Sequence, residues 1–472
     1  MAPFKHSMIT LAVAGALSLS GCGGGGSGSN DTDTTRSVTG VVTGFGSVFV
    51  GGVRYETDLT DFTIDDMPGL ESDLEVGMVV TVQGTVESDG TTGTAVAINY
   101  EEEVEGLVLA NNVATDDSLN VMGQTVHIDD QTNLESHVNT VTSFEDIAVN
   151  HYVEVSGFSS GHGEIFATHI EVKRATLEDD DELEIKGIVS DHDASAQTFM
   201  IGELTVDYSQ ATFDDFSEVM DGLYIEAKSS QNLVDGVLIA DELELENDAD
   251  DDDRDDIDEM EFEGVITAVN DDNSIVVNNI IVLLNNDTDI EDGTVDHLIV
   301  GVKVSVEGEF NADGDFIAEE IEFKPEAELQ LEGIVENVDA DHNRLTVMGQ
   351  TIVVTPSTLM EDDADDNDQT PERYFNVSDL SVGDWVEIDA YEDNTSGELI
   401  ATQLERDDDD GDDQSLEGWV EDISIAGQIT VSGIVVDVSA LEGFSIMLGD
   451  HVEVEGTFNN GMFVANSIEM ED

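Results

Sequence analysis

Phe262-Glu263-Gly264-Val265-Ile266-Thr267-Ala268-Val269 opens a stretch that ends in Phe316-Ile317-Ala318-Glu319-Glu320-Ile321-Glu322-Phe323, and the two segments decide the fold. Apolar and polar residues alternate through both, the period-2 signature of half-buried strands. Between them, Ser274 to Val277, a turn at Asn278-Asn279 and Ile280 to Leu284 read as a hairpin. A polar loop from Asn285 to Asp296 follows. Then Val300 to Gly308 reads as a strand with glycine near each end, and Ala312-Asp313-Gly314-Asp315 as the turn into the closing strand.

The opening mark, Gly-hydrophobic-Val/Ile, occurs at Gly40, Gly106, Gly187, Gly264, Gly333 and Gly418. Ala-x-x-Ile/Leu closes each unit, at Ala95, Ala167, Ala240, Ala318, Ala401 and Ala465. Such self-similarity means six copies of one module rather than one large core. A glycine pair seven apart recurs in the late strand (Gly77/Gly84, Gly301/Gly308, Gly449/Gly456), with single replacements in Asn150/Gly157 and Gly383/Ala390, and Ser229 after Gly222. Five short strands with glycine at the bends predict an all-β chain: a tandem array of about six small five-stranded, OB-like barrels with little helix. A small sandwich or an open meander is the alternative. The expected modules are 38–103, 104–174, 184–246, 261–324, 330–406 and 415–472. Acidic linkers lie at 175–183, 247–260 and 407–414, with an acidic insertion at 361–368.

Thr39 to Val50 followed by Gly52-Val53, and Leu74 to Gly84, resemble the opening and fourth strand of the bacterial repeat known as domain of unknown function 5666. The likeness is closest in the first copy and covers most of the chain after residue 37. It implies an envelope lipoprotein, with no established activity and no catalytic residues to carry over.

Acidity is the dominant bulk property: 13 Lys plus Arg against 109 Asp plus Glu, a formal net charge of -96. That balance excludes nucleic acid as a partner, because binding it requires basic side chains to neutralise phosphate. Cations, and neutral or basic surfaces of protein or polysaccharide, remain. The acidic runs cannot support a core, so the joints are expected to be disordered or extended and to hold neighbouring modules apart. At roughly 30 Å per module, six in line would reach on the order of 150 Å. Carboxylates also suit Ca²⁺. The candidate ligands are Asp251, Asp253, Asp255, Asp363, Asp365, Asp407 and Asp409, although no copy has EF-hand spacing and Arg254 and Arg406 intrude.

At the N-terminus, Lys5 and His6 precede an apolar stretch from Met8 to Leu19, too short to span a bilayer but suited to a signal peptide, 1–21. Leu19-Ser20-Gly21-Cys22 resembles the lipobox of bacterial lipoproteins. That resemblance implies cleavage before Cys22 and its acylation, palmitate included. With Gly23 rather than Asp next, it also implies sorting to the outer membrane of a Gram-negative envelope. Residues 22–37 would then be a lipidated flexible tether. Cys22 is the single cysteine, so no internal disulfide forms.

Three patterns invite chemistry. Gly157-Phe158-Ser159-Ser160-Gly161 matches G-x-S-x-G, but a nucleophile elbow needs a following helix, and here a hairpin turn is expected. Five of ten histidines fall in the second copy: His127, His137, His151, His162 and His169. Clustered histidines suit a transition metal, yet the spacing fits no known motif. His169, one residue before core-facing Ile170, is expected to face solvent near Glu171. Trp385 and Trp419 read as core or barrel-rim packing. Three functions stay open: a non-enzymatic anchored element that binds or spaces, a repeat protein whose joints are rigidified by calcium or another metal, and an envelope hydrolase.

Overall fold

The computed structural model describes residues 34–471, except 89, 179–180, 215, 247–258, 271–272, 292, 312–314, 363, 365–373, 394, 408–412, 425–426 and 442–444. It forms two compact units. One holds the chain up to Val41 with Glu56–Lys324; the other holds Val42–Tyr55 with Pro325–Asp472.

In the fourth copy the strands are Glu259–Val269, Ser274–Val277, Ile280–Leu283, Lys303–Phe310 and Phe316–Phe323. The first pairs antiparallel with the second and the second with the third. The third lies parallel to the closing strand, which pairs with the fourth, and the fourth returns to the first. This closed order, 1-2-3-5-4-1, recurs in the second, fifth and sixth copies. It is the expected OB-like barrel, and ring closure sets aside the sandwich and the meander. The expected polar loop holds a further short strand, Asp289–Glu291, parallel to the closing strand, and a 3-10 turn at Val295–His297. Three residues are too few for alternation to announce.

The repeat marks acquire physical causes. The first glycine of each seven-spaced pair has positive φ, from 84° to 106° in Gly77, Gly222, Gly301, Gly383 and Gly449, with Asn150 at 73°. The second sits at a bulge facing the closing alanine: Gly84 opposite Ala95, Gly157 opposite Ala167, Gly308 opposite Ala318. A Cβ on Gly308 would lie 2.1 Å from the Ile317 carbonyl oxygen. The opening glycine makes room for the central hairpin. A Cβ on Gly264 would strike the Asn278 side chain at 2.2 Å, and one on Gly418 the Ser432 hydroxyl at 2.2 Å.

Each first strand pairs with the fourth over its N-terminal half and with the second over its C-terminal half, which leaves the N-terminal half one open edge. That edge is where copies join. Arg36 to Thr39 run parallel to Glu259 to Phe262, joining the first and fourth copies. Glu184 and Ile185 pair with Glu105 and Val104, joining the second and third. Leu329 to Glu332 pair with Gly418 to Ser415, joining the fifth and sixth. The cores of the second and third copies are continuous, as are those of the fifth and sixth.

The expectation that acidic joints hold neighbours apart is therefore corrected for the second and third copies and for the fifth and sixth, because backbone ladders join them directly. Part of the 175–183 joint also packs. Leu177 rests on the core, Asp181 accepts from the Glu178 amide at 2.7 Å, and Arg174 pairs with Asp181. Cys22, Asp251, Asp253, Asp255, Asp363, Asp365 and Asp409 lie outside the described residues. Asp407 is exposed at the end of the strand Leu399–Asp407, and the neighbouring Arg406 pairs with Asp362.

Candidate binding site

Within the first unit, four copies converge on a cavity of about 160 Å³. The first copy lends Thr39, Val79, Thr81 and Asn99, and Glu101 to Glu103 come from the joint that follows. The second lends Gly157 to Ser159, the third Lys186, Tyr224 and Glu246, and the fourth Asn278 to Ile280. Phe158, Tyr224, Val79 and Ile280 give it apolar walls; the remainder is polar.

Lys186 is 7% exposed and donates to Glu101 at 2.8 Å, with Glu226 at 3.6 Å. Burial pushes the Glu103 carboxyl up to about 7, against the opposing pull of Lys186 and of hydrogen bonds from Ser159 and Tyr224. Burial likewise raises Glu246, again against Lys186. Asn278 and Asn279 form the central hairpin turn of the fourth copy with φ of 47° and 64°, the pair of positive values a two-residue turn demands. Asn278 Nδ2 donates to the Glu263 carbonyl. Asn278 Oδ1 and Asn279 Nδ2 are buried without a partner, and Asn279 is only 9% exposed. A buried amide donor left unpaired costs about 1–3 kcal/mol.

A second layer of charge lies beside the cavity. Lys173 pairs with Glu105 at 2.7 Å and with Glu154, which accepts from Tyr100 Oη at 2.6 Å. Lys228 pairs with Glu226 at 2.9 Å and Glu184 at 3.4 Å. The carboxylates of Glu102, Glu105 and Glu184 lie within 4.8 Å of one another, as do those of Asp66, Glu226 and Glu244. Carboxylates so close cannot all ionise. Burial, reinforced by Glu102, raises Asp65 and Glu184 well above the carboxylate range. Burial alone would also raise Glu102, but hydrogen bonds to Asp65 and Glu184 and the charge of Lys186 hold it low.

The patterns singled out in the sequence scatter. Ser159 ends the strand Tyr152–Ser159, and a turn leads into the strand Glu164–Arg174 rather than a helix. Its hydroxyl accepts from the Gly161 amide at 3.1 Å. The hydrolase reading of that pattern fails, yet Ser159 lines the cavity. His127 stacks on Phe166, His162 is exposed, and His151 is buried and accepts from the Ala148 amide. His169 is 2% exposed, which corrects the expectation that it faces solvent. Its face of the sheet is covered by the first copy, whose Val76 carbonyl it meets at 3.0 Å. Trp385 is buried and donates to Glu332, whereas Trp419 is 48% exposed and lies against His451 with the ring planes tilted by 45°.

Sequence reasoning passed over Lys173, Lys186 and Lys228, although lysines inside strands stand out in a chain with 13 basic residues. It also passed over the run Glu101-Glu102-Glu103-x-Glu105.

A family model described as "Domain of unknown function (DUF5666)" matches residues 105–171, 186–244, 263–322, 332–405 and 417–469. These are the second to sixth copies; the first, where the likeness reads closest by eye, is not among the matched segments. No curated protein matches. Among solved structures, the chain is similar to "drosophila Unr CSD456" at 15% identity, over 44% of this chain and 96% of that one, with a TM-score of 0.16.

Proposed function

The chain belongs to the DUF5666 family, and from that premise we propose that it is a lipid-anchored, acidic, multi-module binding protein of the bacterial cell envelope. Its cavity in the first unit holds a hydroxyl-rich ligand such as the end of a polysaccharide. One observation carries the reading: the unpaired, buried Asn279 Nδ2 shares the cavity with Glu101, Glu103, Ser159 and Tyr224. The amide needs an acceptor and carboxylates need donors, and a sugar hydroxyl is both. Phe158 and Tyr224 offer apolar surface to a ring face. A cavity of about 150 Å³ takes one six-membered ring, close to the volume here. Calorimetric titration of residues 23–472 with neutral sugars and envelope polysaccharide tests the reading. Binding weakened tenfold or more by Asn279→Ala supports it; no binding by any of them refutes it. The anchor rests on Leu19 to Cys22 and is tested by radiolabelled palmitate, which Cys22→Ala must abolish.

A second reading, in which calcium rigidifies the protein, moves from the joints to the two carboxylate groups around Glu102 and Glu226. Millimolar calcium at constant ionic strength would then raise the melting temperature by several degrees. An unchanged melt sinks it.

A further inference from the structure

We propose that the second unit holds a binding site for a small neutral phenol, in a cavity of about 160 Å³ between the fifth copy and the first copy's segment Val42–Tyr55. That segment lends Phe45 and Phe49. Phe49 stands in the strand Val48–Val50, opposite Gly44 at a bulge. The fifth copy lends Val354 to Pro356, Thr358, Met360 and Phe375 to Val377, on both sides of its short strand Leu359–Asp362. The Thr43 hydroxyl donates to the Pro356 carbonyl at 2.8 Å and fastens the two sides together.

The wall is uncharged. None of the described residues lining it is Asp, Glu, Lys or Arg, although 26% of the chain is charged. A charged guest would find no counter-charge there, and burying an unpaired charge is costly. The inner polar groups bond to one another. The Thr358 hydroxyl donates to the Ala401 carbonyl at 2.7 Å and accepts from the Thr355 amide at 2.9 Å. A water in a cavity needs two to four polar partners, whereas an apolar cavity of about 150 Å³ takes a benzene ring. Three phenyl rings make that guest aromatic, because rings pair edge-to-face or offset with one another. Phe45 and Phe375 are buried and Phe49 is half-buried. The Arg406 guanidinium, paired with Asp362, lies 5.2 Å from the centre of the Phe375 ring and holds it in place.

The mouth is of a different character. Asn343 and Asn376 are the exposed members of the described lining, and a carboxamide both donates to and accepts from a hydroxyl. Asn376 Oδ1 accepts from the Ser378 amide at 2.9 Å and the Ser378 hydroxyl at 2.6 Å, which anchors that side chain. Asn343 ends a 3-10 turn with φ of 50°. An apolar aromatic interior with two uncharged amides at its mouth fits a ring that carries one hydroxyl. The site shares no residue with the cavity of the first unit, so either can fail without the other.

The test is calorimetric titration of full-length protein in detergent with p-cresol, against detergent alone as the blank. One saturable site per chain is expected, with 4-methylbenzoate, the same ring bearing a charge, at least tenfold weaker. Two variants act in opposite directions on the space. A Cβ on Gly44 would meet only Phe49, at 4.0 Å, and residues opposite in a ladder share a face, so Gly44→Leu fills the cavity. Phe49→Ala removes a wall and adds no bulk. Each should weaken p-cresol at least tenfold. Asn343→Gly tolerates the same positive φ and should narrow the preference for p-cresol over toluene. No saturable uptake beyond the blank, unchanged affinity in both Gly44→Leu and Phe49→Ala, or 4-methylbenzoate binding as tightly as p-cresol overturns the proposal.

Discussion

Substituting Gly308 by alanine separates two reasons for glycine, one inside the strand Lys303–Phe310 and one in the turn before it. At Gly308 the added Cβ meets backbone: 2.1 Å from the Ile317 oxygen and 3.0 Å from the Phe316 ring. No rotamer relieves that, so the closing strand must move by about an ångström against Phe262 and Phe310, which pack on Phe316. Overpacking of this kind costs about 1–3 kcal/mol, and contact with a carbonyl rather than a flexible side chain places it near 2. Gly301, seven residues earlier, has φ of 96° and nothing within 4 Å of its Cβ. Asparagine occupies the equivalent position naturally at Asn150, with φ of 73°, so Gly301→Asn should cost under ~1 kcal/mol. Unfolding of six joined modules need not be two-state, so the readout is amide exchange in peptides spanning Lys303–Phe310 and Phe316–Phe323. A loss near 2 kcal/mol accelerates exchange about 30-fold, against less than about 5-fold for Gly301→Asn. Equal acceleration in the two variants would refute the bulge explanation, as would faster exchange in Gly301→Asn.

Two further outcomes follow from the buried charges. Glu184 is raised by burial and then by the Glu102 and Glu226 carboxylates, so the folded state holds a proton that the unfolded chain releases near 4.5. Its contribution is therefore greatest below about pH 4.5 and is lost as pH rises. Glu103, raised to about 7, adds the same slope between about 4.5 and 7. Glu184→Gln should melt like the parent at pH 5 and higher at pH 9; an unchanged difference between the two pH values would contradict the assignment. Lys186→Met keeps the packing but leaves Glu101 and Glu226 without that cation. Breaking a buried pair costs about 3–5 kcal/mol, and the low end applies because Glu226 keeps Lys228 at 2.9 Å. A urea midpoint for the first unit equal to the parent's would show that Lys186 contributes nothing.

Much of the barrel was legible because its marks are local. Gly264, Gly301, Gly308 and Ala318 each answer to a neighbour in the same copy, so spacing along the chain carries them. The short strand Asp289–Glu291 was missed because three residues show no periodicity. The site was missed for a different reason. Lys186 and Asn279 lie 93 positions apart and meet through contacts between copies, which no pattern within one copy encodes. His169 shows the same failure in reverse. Alternation placed it opposite the core of its own barrel, but that face is covered by another copy.

Edge pairing also explains how so acidic a chain assembles at all. Among the described residues, each of the three backbone ladders between copies uses the open edge of a first strand, and like charges placed directly opposite across a ladder are destabilising. Each junction escapes in its own way. Between the first and fourth copies, Arg36 stands opposite Glu259 and pairs with it at 2.7 Å. Between the fifth and sixth, Gln330 faces Glu417 and Glu332 faces Ser415, so a neutral residue meets each carboxylate. Between the second and third, Glu105 faces Glu184 with neither remedy. There the structure protonates one carboxyl and sets Lys173 against Glu105 and Lys228 against Glu184. That junction depends on a proton. Raising pH through the Glu184 value should therefore loosen the second copy from the third.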